Sequence, residues 1–579
     1  MGSKGRVLAL ALWYYARMSQ DEAPPISDRR DPSRSSQDAR ALTAIFLAIS
    51  LLISLAILSV RNTYDDESSS LAFVGSSVSQ IIKTANSGDV HPPGMYLLAH
   101  FAYQAIPSPR WMTLFTLLLL YAGLSVFAFA ITPLFATIRA RICFLLLATL
   151  HPQLLMWGNT IRWYGWWTGL ALVTLIFALH PDPSGFKPRL TYVRSALLGL
   201  LLACLFYINY ITLVFIATLG LAILLRYSWQ AWKQYLMVFA VFLPLIVPQL
   251  HAFLTVHSAG SKGQRSGFLL SLARLIEAIV CSEAYLPWHP LAILAALAFL
   301  FLAIVGVRQA ARFSRSPAAS PAVWTAYNSL ASIILFSLIF FVLVALSGLG
   351  VKPRNGLLLL PVLAPLVALL VDTLRPLVAQ YTFIGIFGLW SAVGVEHLLH
   401  RQGLAKASMI NRPEEVVSFL RDSRGPDCSV VVTYDALLTL TLSTSSLSHL
   451  LVLSPSQNPV YQHSRPFNPT QCTGIDLYLV KSYTGGLGRS GDVLTAEMDA
   501  EARTLHGPWQ IRRFSLDPDA ARKRKLISGA SDLPDYRYIV TSTQIPPSSL
   551  NAIRRELPHF SAADGQSKPV EVFSVSTGL

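Results

Sequence analysis

Three consecutive carboxylates, Asp65, Asp66 and Glu67, closely follow the end of a long apolar run. A second polar motif, DVHPP at residues 89–93, begins about 22 residues after Glu67. A carboxylate beside an apolar segment is costly unless it is solvated or paired, and such residues usually mark function. Because a carboxylate can take a proton from a hydroxyl group, this pattern indicates general acid–base chemistry next to the apolar run.

The acidic cluster also has a purely structural interpretation. Asp66 precedes the stretch SSSLAF, and acidic residues are favourable at helix N-termini. Under this interpretation, the cluster is a solvated loop that starts an interfacial helix. The periodicity of the sequence by itself leaves both interpretations open.

The composition shows what kind of protein must position these residues. Of the 579 residues, 53% are apolar and only 13% are charged, whereas soluble domains have roughly 25% charged residues. The mean hydropathy is +0.48, and the apolar residues occur in long runs. This composition excludes an ordinary soluble enzyme, a disordered chain and a disulfide scaffold. The sequence therefore predicts a polytopic α-helical membrane protein.

About eleven apolar runs are long enough to be membrane spans, which need roughly 20 residues each. They lie near residues 41–60, 111–135, 141–157, 164–180, 195–209, 211–226, 234–256, 291–307, 328–348, 356–374 and 377–398. The run at 94–106 is too short to span a bilayer, and prolines follow it, so we expect a re-entrant or interfacial helix there.

Basic residues near the ends of the runs predict the orientation of the chain. The basic segment 1–40 is predicted to be cytoplasmic, and residues 41–401 to form the multi-span domain. By alternation, residues 61–110 form an outer loop that carries both acidic motifs. Since no allowed N-glycosylation sequon occurs, a bacterial inner (plasma) membrane within the cell envelope is favoured over a secretory membrane.

The amino-acid composition changes after the last apolar run. From residue 402 the apolar runs shorten, while Ser, Asp, Pro and Arg become more frequent. Segments such as IDLYLVKSY and YRYIVTST have the composition of strands. We therefore expect residues 402–579 to form a soluble α/β domain, which the count of spans places on the extracytoplasmic side.

The acidic motifs resemble those of the membrane-embedded C-type (GT-C) glycosyltransferases. This superfamily includes the protein O-mannosyltransferases, the aminoarabinose transferases of lipid A and the Rgt-type galacturonosyltransferases. Its members have an acidic pair just after the first span, here Asp66 and Glu67, and then D-x-H-P-P, here residues 89–93. The resemblance covers roughly residues 41–400, and Gly94 stands where members more often have leucine.

The resemblance implies transfer of a sugar from a polyprenyl-phosphate donor to an acceptor hydroxyl on the outer, periplasmic face. It implies that Asp66 is the general base, that Glu67 is its neighbour and that Asp89 is a second acid orienting sugar or acceptor. The acceptor is a lipid, a glycan or a protein, and the sequence does not choose among them. No cofactor or metal site is expected, although a requirement for a divalent metal stays open.

A leaving phosphate needs hydrogen-bond donors and positive charge around its oxygens. We expect Arg162, Lys352, Arg354 and His91 to supply them, because the basic residues of this set lie at predicted outer ends of spans. The alternative is that these basic side chains snorkel towards lipid headgroups. Two positions depart from the superfamily pattern: Thr160 replaces an acid, and Asn355 replaces a tyrosine.

Three further sequence features have structural interpretations. Four tryptophans between residues 157 and 167 are expected to form an interfacial aromatic belt. His397 and His400 have nearly metal-ligand spacing without an evident third ligand, so they indicate a polar helix end. The net charge of +15 is spread over loops, which does not indicate nucleic-acid binding.

A membrane transporter or lipid flippase is the alternative function. Transporters usually place polar groups near mid-membrane and often contain internal repeats, whereas here the acids cluster at one predicted face of the membrane and no repeat is evident.

Overall fold

The computed structural model describes the chain in segments. They are residues 32–61, 67, 70, 74, 77–88, 91–106, 108–179, 192–226, 232–260, 267–280, 282, 284–285, 289–313, 321–346, 353–400, 417–418, 420–421, 429–433, 451–453, 475–482, 503–504, 509–516, 560–562 and 573–575. Asp65, Asp66, Asp89 and Lys352 therefore lie outside the described residues.

The chain divides into two compact units. The helical unit comprises Met1–Val60, Val78–Leu98 and Ala105–Ala405. The second unit comprises Arg61–Ser77, Ala99–Gln104 and Lys406–Leu579. The domain boundaries expected from the sequence stay predictions.

Fifteen α-helices occur among the described residues. In chain order they are α1 (Pro32–Val60), α2 (Val78–Gly88), α3 (Pro93–Ala105), α4 (Pro109–Ile131), α5 (Ile138–Thr149), α6 (Pro152–Gly158), α7 (Trp163–Leu179), α8 (Tyr192–Ile208), α9 (Thr212–Arg226), α10 (Trp232–Gly260), α11 (Phe268–Val280), α12 (Pro290–Phe313), α13 (Pro321–Leu346), α14 (Leu359–Asp372) and α15 (Leu377–Leu399). Two short 3₁₀ turns occur at Thr132–Leu134 and Pro353–Gly356.

Each apolar run expected from the sequence is helical in the structure. Five segments are long and apolar enough to cross a membrane: Gln37–Val60, Arg110–Leu134, Ile138–Gly158, Tyr235–Leu254 and Leu377–Leu399. Six further apolar helices are shorter, with 10–17 residues each. A helix satisfies its backbone hydrogen bonds internally, which is why apolar runs adopt it. The protein is thus a helical membrane protein, while the number of spans stays a prediction.

The helical segment that contains the apolar run 141–157 is interrupted once. It divides into α5 and α6 at His151, because Pro152 lacks a backbone N–H and its ring clashes with a preceding helical turn. Nδ1 of His151 accepts from the Gln153 N–H at 3.2 Å and so caps α6. Its Nε2 lies 3.0 Å from the carbonyl oxygen of Ile279 in α11. The break therefore allows His151 to connect α6 and α11, which are far apart in sequence, through a hydrogen bond.

Two pairs of helices approach so closely that only glycine fits at the contact. A Cβ atom added at Gly169 of α7 would overlap the backbone carbonyl of Leu119 in α4, and one added at Gly123 would overlap Gly169. Gly94 in α3 lies in the same way against the backbone carbonyl of Tyr207 in α8. This contact explains why the chain has glycine at position 94.

Strands occur in the second unit. They are β1 (Ser429–Thr433), β2 (Leu451–Leu453), β3 (Ile475–Ser482), β4 (Arg503–Thr504), β5 (Trp509–Leu516), β6 (Phe560–Ala562) and β7 (Phe573–Val575). Five of them form a sheet in the order β2-β1-β3-β5-β4, in which β1 is parallel to β2 and β3, and β5 is antiparallel to β3 and β4. The other two strands pair with each other. The expected strand YRYIVTST lies outside the described residues, and the α/β class of this region stays a prediction.

The contact between α4 and α7 predicts a large difference between two glycine substitutions. Gly169→Ala places a methyl group against backbone atoms that cannot rotate away, so we expect it to lower stability by about 1–3 kcal/mol. Gly220→Ala in α9 is the matched control, because an added Cβ there meets nothing within 4 Å. The control should be neutral or slightly stabilising. Thermal unfolding of both variants in detergent, followed by size-exclusion chromatography, measures the difference, and equal melting temperatures would contradict the assigned contact.

Candidate functional site

The candidate site lies in the helical unit, at four interruptions of its helices. His91 lies two residues before the start of α3, and Arg162 lies in the turn between α6 and α7. Asn209 lies in the turn between α8 and α9, and Arg354 lies in the second 3₁₀ turn. Helix ends leave backbone groups without intrahelical partners, so polar side chains are common there. Contacts among these residues and their neighbours define the site.

His91 is the centre of a three-residue polar cluster. Its Nε2 lies 3.1 Å from a terminal guanidinium nitrogen of Arg162. Its Nδ1 lies 3.3 Å from the side-chain nitrogen of Asn209. Only 7% of Arg162 and 7% of Asn209 are exposed. Three chain segments that are far apart in sequence thus place a buried cation and a histidine side by side.

Arg354 supplies a second buried guanidinium group. Its central carbon lies 4.9 Å from the centre of the Trp157 ring and 5.7 Å from the centre of the Tyr164 ring. Only 3% of the residue is exposed. A cation over an aromatic face is stabilised by the ring quadrupole, more strongly when it is desolvated. The aromatic pair therefore holds a positive charge at a place where apolar packing alone would exclude it.

A chain of aromatic rings connects the two cationic groups. Tyr164 lies 4.5 Å from Trp163, measured between ring centres, and Trp163 lies 6.4 Å from the His91 ring. The expectation that the neighbouring tryptophans form an interfacial belt is wrong, because all four are buried: Trp157, Trp163, Trp166 and Trp167. Trp167 also donates to the Thr212 hydroxyl at 2.8 Å, and Trp166 donates to Thr116. They form the packed wall of the site rather than a lipid-facing girdle.

Thr160, singled out in the sequence, lies in the turn before Arg162. The residue is buried, and its hydroxyl donates to the carbonyl oxygen of Trp157 at 2.7 Å. Asn159 beside it donates to the carbonyl oxygen of Leu155 at 2.7 Å. These bonds close the end of α6, so Thr160 shapes the turn that carries Arg162.

Glu67 belongs to the second unit and is buried there. Its carboxylate forms an ion pair with Arg61, the residue that follows α1. In the same unit, Nδ1 of His100 lies 2.8 Å from the carbonyl oxygen of Val74. A buried carboxylate needs such a partner, because desolvation of an unpaired charge is very costly. The ion pair therefore orients Glu67.

The structure thus brings together part of the predicted site. His91 and Arg162 are in contact. Arg354 is connected to His91 by successive ring contacts through Tyr164 and Trp163. Glu67 lies in the other unit, paired with Arg61. The roles predicted for Asp66, Asp89 and Lys352 stay predictions, since these residues lie outside the described part of the chain.

Three participants were missed in the sequence analysis. Asn209 is the last residue of the apolar run 195–209, and the next run begins at residue 211, so a polar residue at this junction was the available signal. Arg61 directly follows the first apolar run and precedes the acidic cluster. The support that Tyr164 gives to Arg354 had no sequence signal, because the two residues lie in different parts of the chain.

A second polar group lies near the ends of α12 and α15. The His289 and His397 ring centres are 5.2 Å apart, and Tyr285 lies 5.1 Å from His289. Burial and, after it, the neighbouring His397 lower the pKa of His289. His400 instead contacts Glu396 at 3.0 Å. The described residues contain no group of three His, Cys, Asp or Glu side chains that could hold a metal ion.

Comparisons with known proteins find similar solved structures but no similar sequence family. No family model and no curated protein matches the chain. One similar solved structure is ArnT from Cupriavidus metallidurans bound to undecaprenyl phosphate, with 12% sequence identity and a TM-score of 0.48. Another is ArnT from the same organism in the apo state, with 14% identity and a TM-score of 0.40. Each alignment covers 81% of this chain and 97% of the ArnT chain.

Proposed function

We propose that this protein is an integral-membrane glycosyltransferase that moves a sugar from a polyprenyl-phosphate donor to an acceptor hydroxyl. The observation that carries the proposal is the pair of buried guanidinium groups, Arg162 and Arg354, among apolar helices. Charged residues inside an apolar helical unit are expensive, and they usually mark a substrate path. Arginine is well suited to phosphate, because its planar fork donates several hydrogen bonds at once.

The chemistry requires a base for the acceptor hydroxyl and hydrogen-bond donors for the leaving phosphate. The acceptor oxygen attacks the anomeric carbon and gives its proton to a carboxylate, which we assign to Asp66 from its motif. The bond between the anomeric carbon and the phosphate oxygen breaks, and the oxygen keeps the electron pair. Arg162, Arg354 and His91 stabilise the negative charge that builds on the leaving phosphate. Lys352 is a further candidate for the same task.

The remaining roles complete the proposal. Glu67, oriented by Arg61, and Asp89 are the other candidate acids, and Asp89 would orient the sugar or the acceptor. The catalytic segment 61–110 and the region 402–579 are placed on the extracytoplasmic side of a cell inner membrane. The sugar and the acceptor are left to experiment, as is any need for a divalent metal.

The first test is transfer of radiolabelled sugar by the purified protein from a panel of polyprenyl-phosphate donors, with crude membranes as the source of acceptors. We expect transfer with at least one donor. Asp66→Asn should lower the rate by about 10²–10⁴-fold, the usual contribution of a general base. Asp65→Asn is the matched control, since it removes the neighbouring carboxylate and should leave most of the activity.

Two outcomes of this test would contradict the proposal. Near-normal activity in a well-folded Asp66→Asn variant would remove the base assignment. A lack of transfer with every donor would favour the transporter or flippase, which flux measurements in liposomes would then test directly.

The stacking of the Arg354 guanidinium group leads to a second, independent prediction, which concerns donor binding. Arg354→Lys keeps the charge but loses the planar fork, so we expect kcat/KM for the donor to fall about 10–100-fold, as a charged hydrogen bond worth about 1.5–3 kcal/mol is lost. Arg194→Lys is the matched control, because Arg194 also lies 4.9 Å from a ring centre, that of Phe177, outside the site. Steady-state kinetics with varied donor concentration measure both variants. Equal losses in the two would show that Arg354 acts only through packing.

A further inference from the structure

Gln249 is a buried amide within an apolar helix. It lies in α10, which also contains Pro244 and Pro248, and only 2% of the residue is exposed. Its Nε2 lies 3.0 Å from Oδ1 of Asn86 in α2 and 2.6 Å from the hydroxyl oxygen of Tyr210, in the turn between α8 and α9. All three residues belong to the helical unit. A polar side chain in an apolar segment is expensive, and it usually marks function.

The two amides leave one donor group and one acceptor group unused. Gln249 donates both N–H bonds of Nε2, so its Oε1 remains, and Asn86 accepts at Oδ1, so its NH₂ group remains. Neither remaining group has a hydrogen-bond partner among the described residues. Exchanging the oxygen and the nitrogen in both amides gives the same result, because one amide always presents an NH₂ group and the other an oxygen. The pair therefore offers a ligand one donor and one acceptor from adjacent side chains.

A hydroxyl group is the ligand that matches this pair. Its oxygen both donates and accepts, so a single hydroxyl satisfies both remaining amide groups. A phosphate or carboxylate oxygen only accepts, and it would leave the amide oxygen without a donor. An ammonium group only donates, and it would leave the NH₂ group without an acceptor. Water has the same capacity as a hydroxyl, so a bound water molecule is the alternative occupant.

The amide pair lies close to the cationic cluster along the chain. Asn86 is five residues before His91. Tyr210 directly follows Asn209, whose side-chain nitrogen lies 3.3 Å from Nδ1 of His91. In a lipid-linked donor the sugar is bonded directly to the phosphate. A phosphate held by His91 and Arg162 therefore carries its sugar into the surroundings of this cluster, where these segments lie.

We propose that Asn86 and Gln249 form the sugar subsite of the donor site. The Asn86 NH₂ group donates to one hydroxyl of the lipid-linked sugar, and that hydroxyl donates to Oε1 of Gln249. Tyr210 is a positioning residue, because its hydroxyl takes the second N–H bond of Gln249 and so holds the amide in place. This inference rests on the proposed function, which supplies the sugar-linked lipid.

The subsite is tested by native mass spectrometry of the full-length protein with undecaprenyl phosphate, bare or linked to glucose, mannose, galactose or arabinose. We expect the wild type to bind at least one sugar-linked lipid. Gln249→Met has a similar length but lacks the amide, so binding of that lipid should weaken about 3–10-fold, whereas binding of the bare lipid should stay within about twofold. Asn86→Asp is a second variant at a partly buried position. It keeps an acceptor for Gln249 but loses the NH₂ group, so it should also weaken the sugar-linked lipid relative to the bare one.

Gln380→Met is the matched control. Gln380 is likewise buried, and its Nε2 donates to two carbonyl oxygens, those of Asp372 and Leu374. The count of spans places this residue at the cytoplasmic end of α15, opposite the predicted outer loop. The substitution thus removes a buried amide without touching the proposed subsite, and it should leave both affinities unchanged.

Donors that lack one hydroxyl distinguish a bound sugar from a bound water molecule. A site built to hydrogen-bond a substrate hydroxyl rejects the analogue without it. For one position on the sugar, we expect loss of the hydroxyl to weaken binding to the wild type about 3–10-fold. The same loss should leave binding to Gln249→Met unchanged, because the partner of that hydroxyl is already absent.

Several outcomes would overturn the inference. Equal losses for the bare and the sugar-linked lipid in Gln249→Met and Asn86→Asp, or no loss in either variant, would show that the amides only join the helices. Equal effects of every missing hydroxyl in the wild type and Gln249→Met would leave water as the occupant. If the wild type binds bare undecaprenyl phosphate but no sugar-linked lipid, the subsite is refuted and the phosphate site stands. If it binds no lipid and transfers no sugar, the proposed function fails and the inference fails with it.

Discussion

The burial of two guanidinium groups among apolar helices is the constraint on which the rest of the site depends. An arginine side chain stays charged at any physiological pH, so its surroundings must compensate for lost hydration. Arg354 is compensated in part by the faces of Trp157 and Tyr164, and Arg162 lies against His91. Burial of these aromatic residues therefore stabilises a cation as well as removing apolar surface from water.

The site is built from interruptions of helices rather than from their faces. The turn between α6 and α7 carries Arg162, and hydrogen bonds of Asn159 and Thr160 close the helix end before it. The turn between α8 and α9 carries Asn209, whose side-chain oxygen accepts from the backbone N–H of Ile211, the residue before α9. Backbone groups at such ends need partners, and the side chains that supply them also become available to a ligand. This arrangement places polar side chains inside an apolar helical unit.

The sequence predicts the helices well and the site only in part. Hydropathy is a local property, so each apolar run lies almost entirely in helix, although helices such as α1, α12 and α13 extend beyond their runs. The break at Pro152 and the burial of Trp166 and Trp167 depend on packing between distant segments. An aromatic residue at the end of a span has the same local signature whether it faces lipid or a neighbouring helix. The requirement for Gly94 likewise becomes evident only when the backbone of Tyr207 lies against it.

The most direct test of the account is an experimental structure of the protein with undecaprenyl phosphate added. Cryo-electron microscopy in nanodiscs would show where the lipid phosphate binds. The account predicts a phosphate oxygen within hydrogen-bond distance of both the Arg162 guanidinium and Nε2 of His91, with Arg354 still stacked on Trp157. A phosphate bound elsewhere on the protein, with Arg162 and His91 unchanged, would contradict the central claim that this buried cationic cluster is the donor-phosphate site.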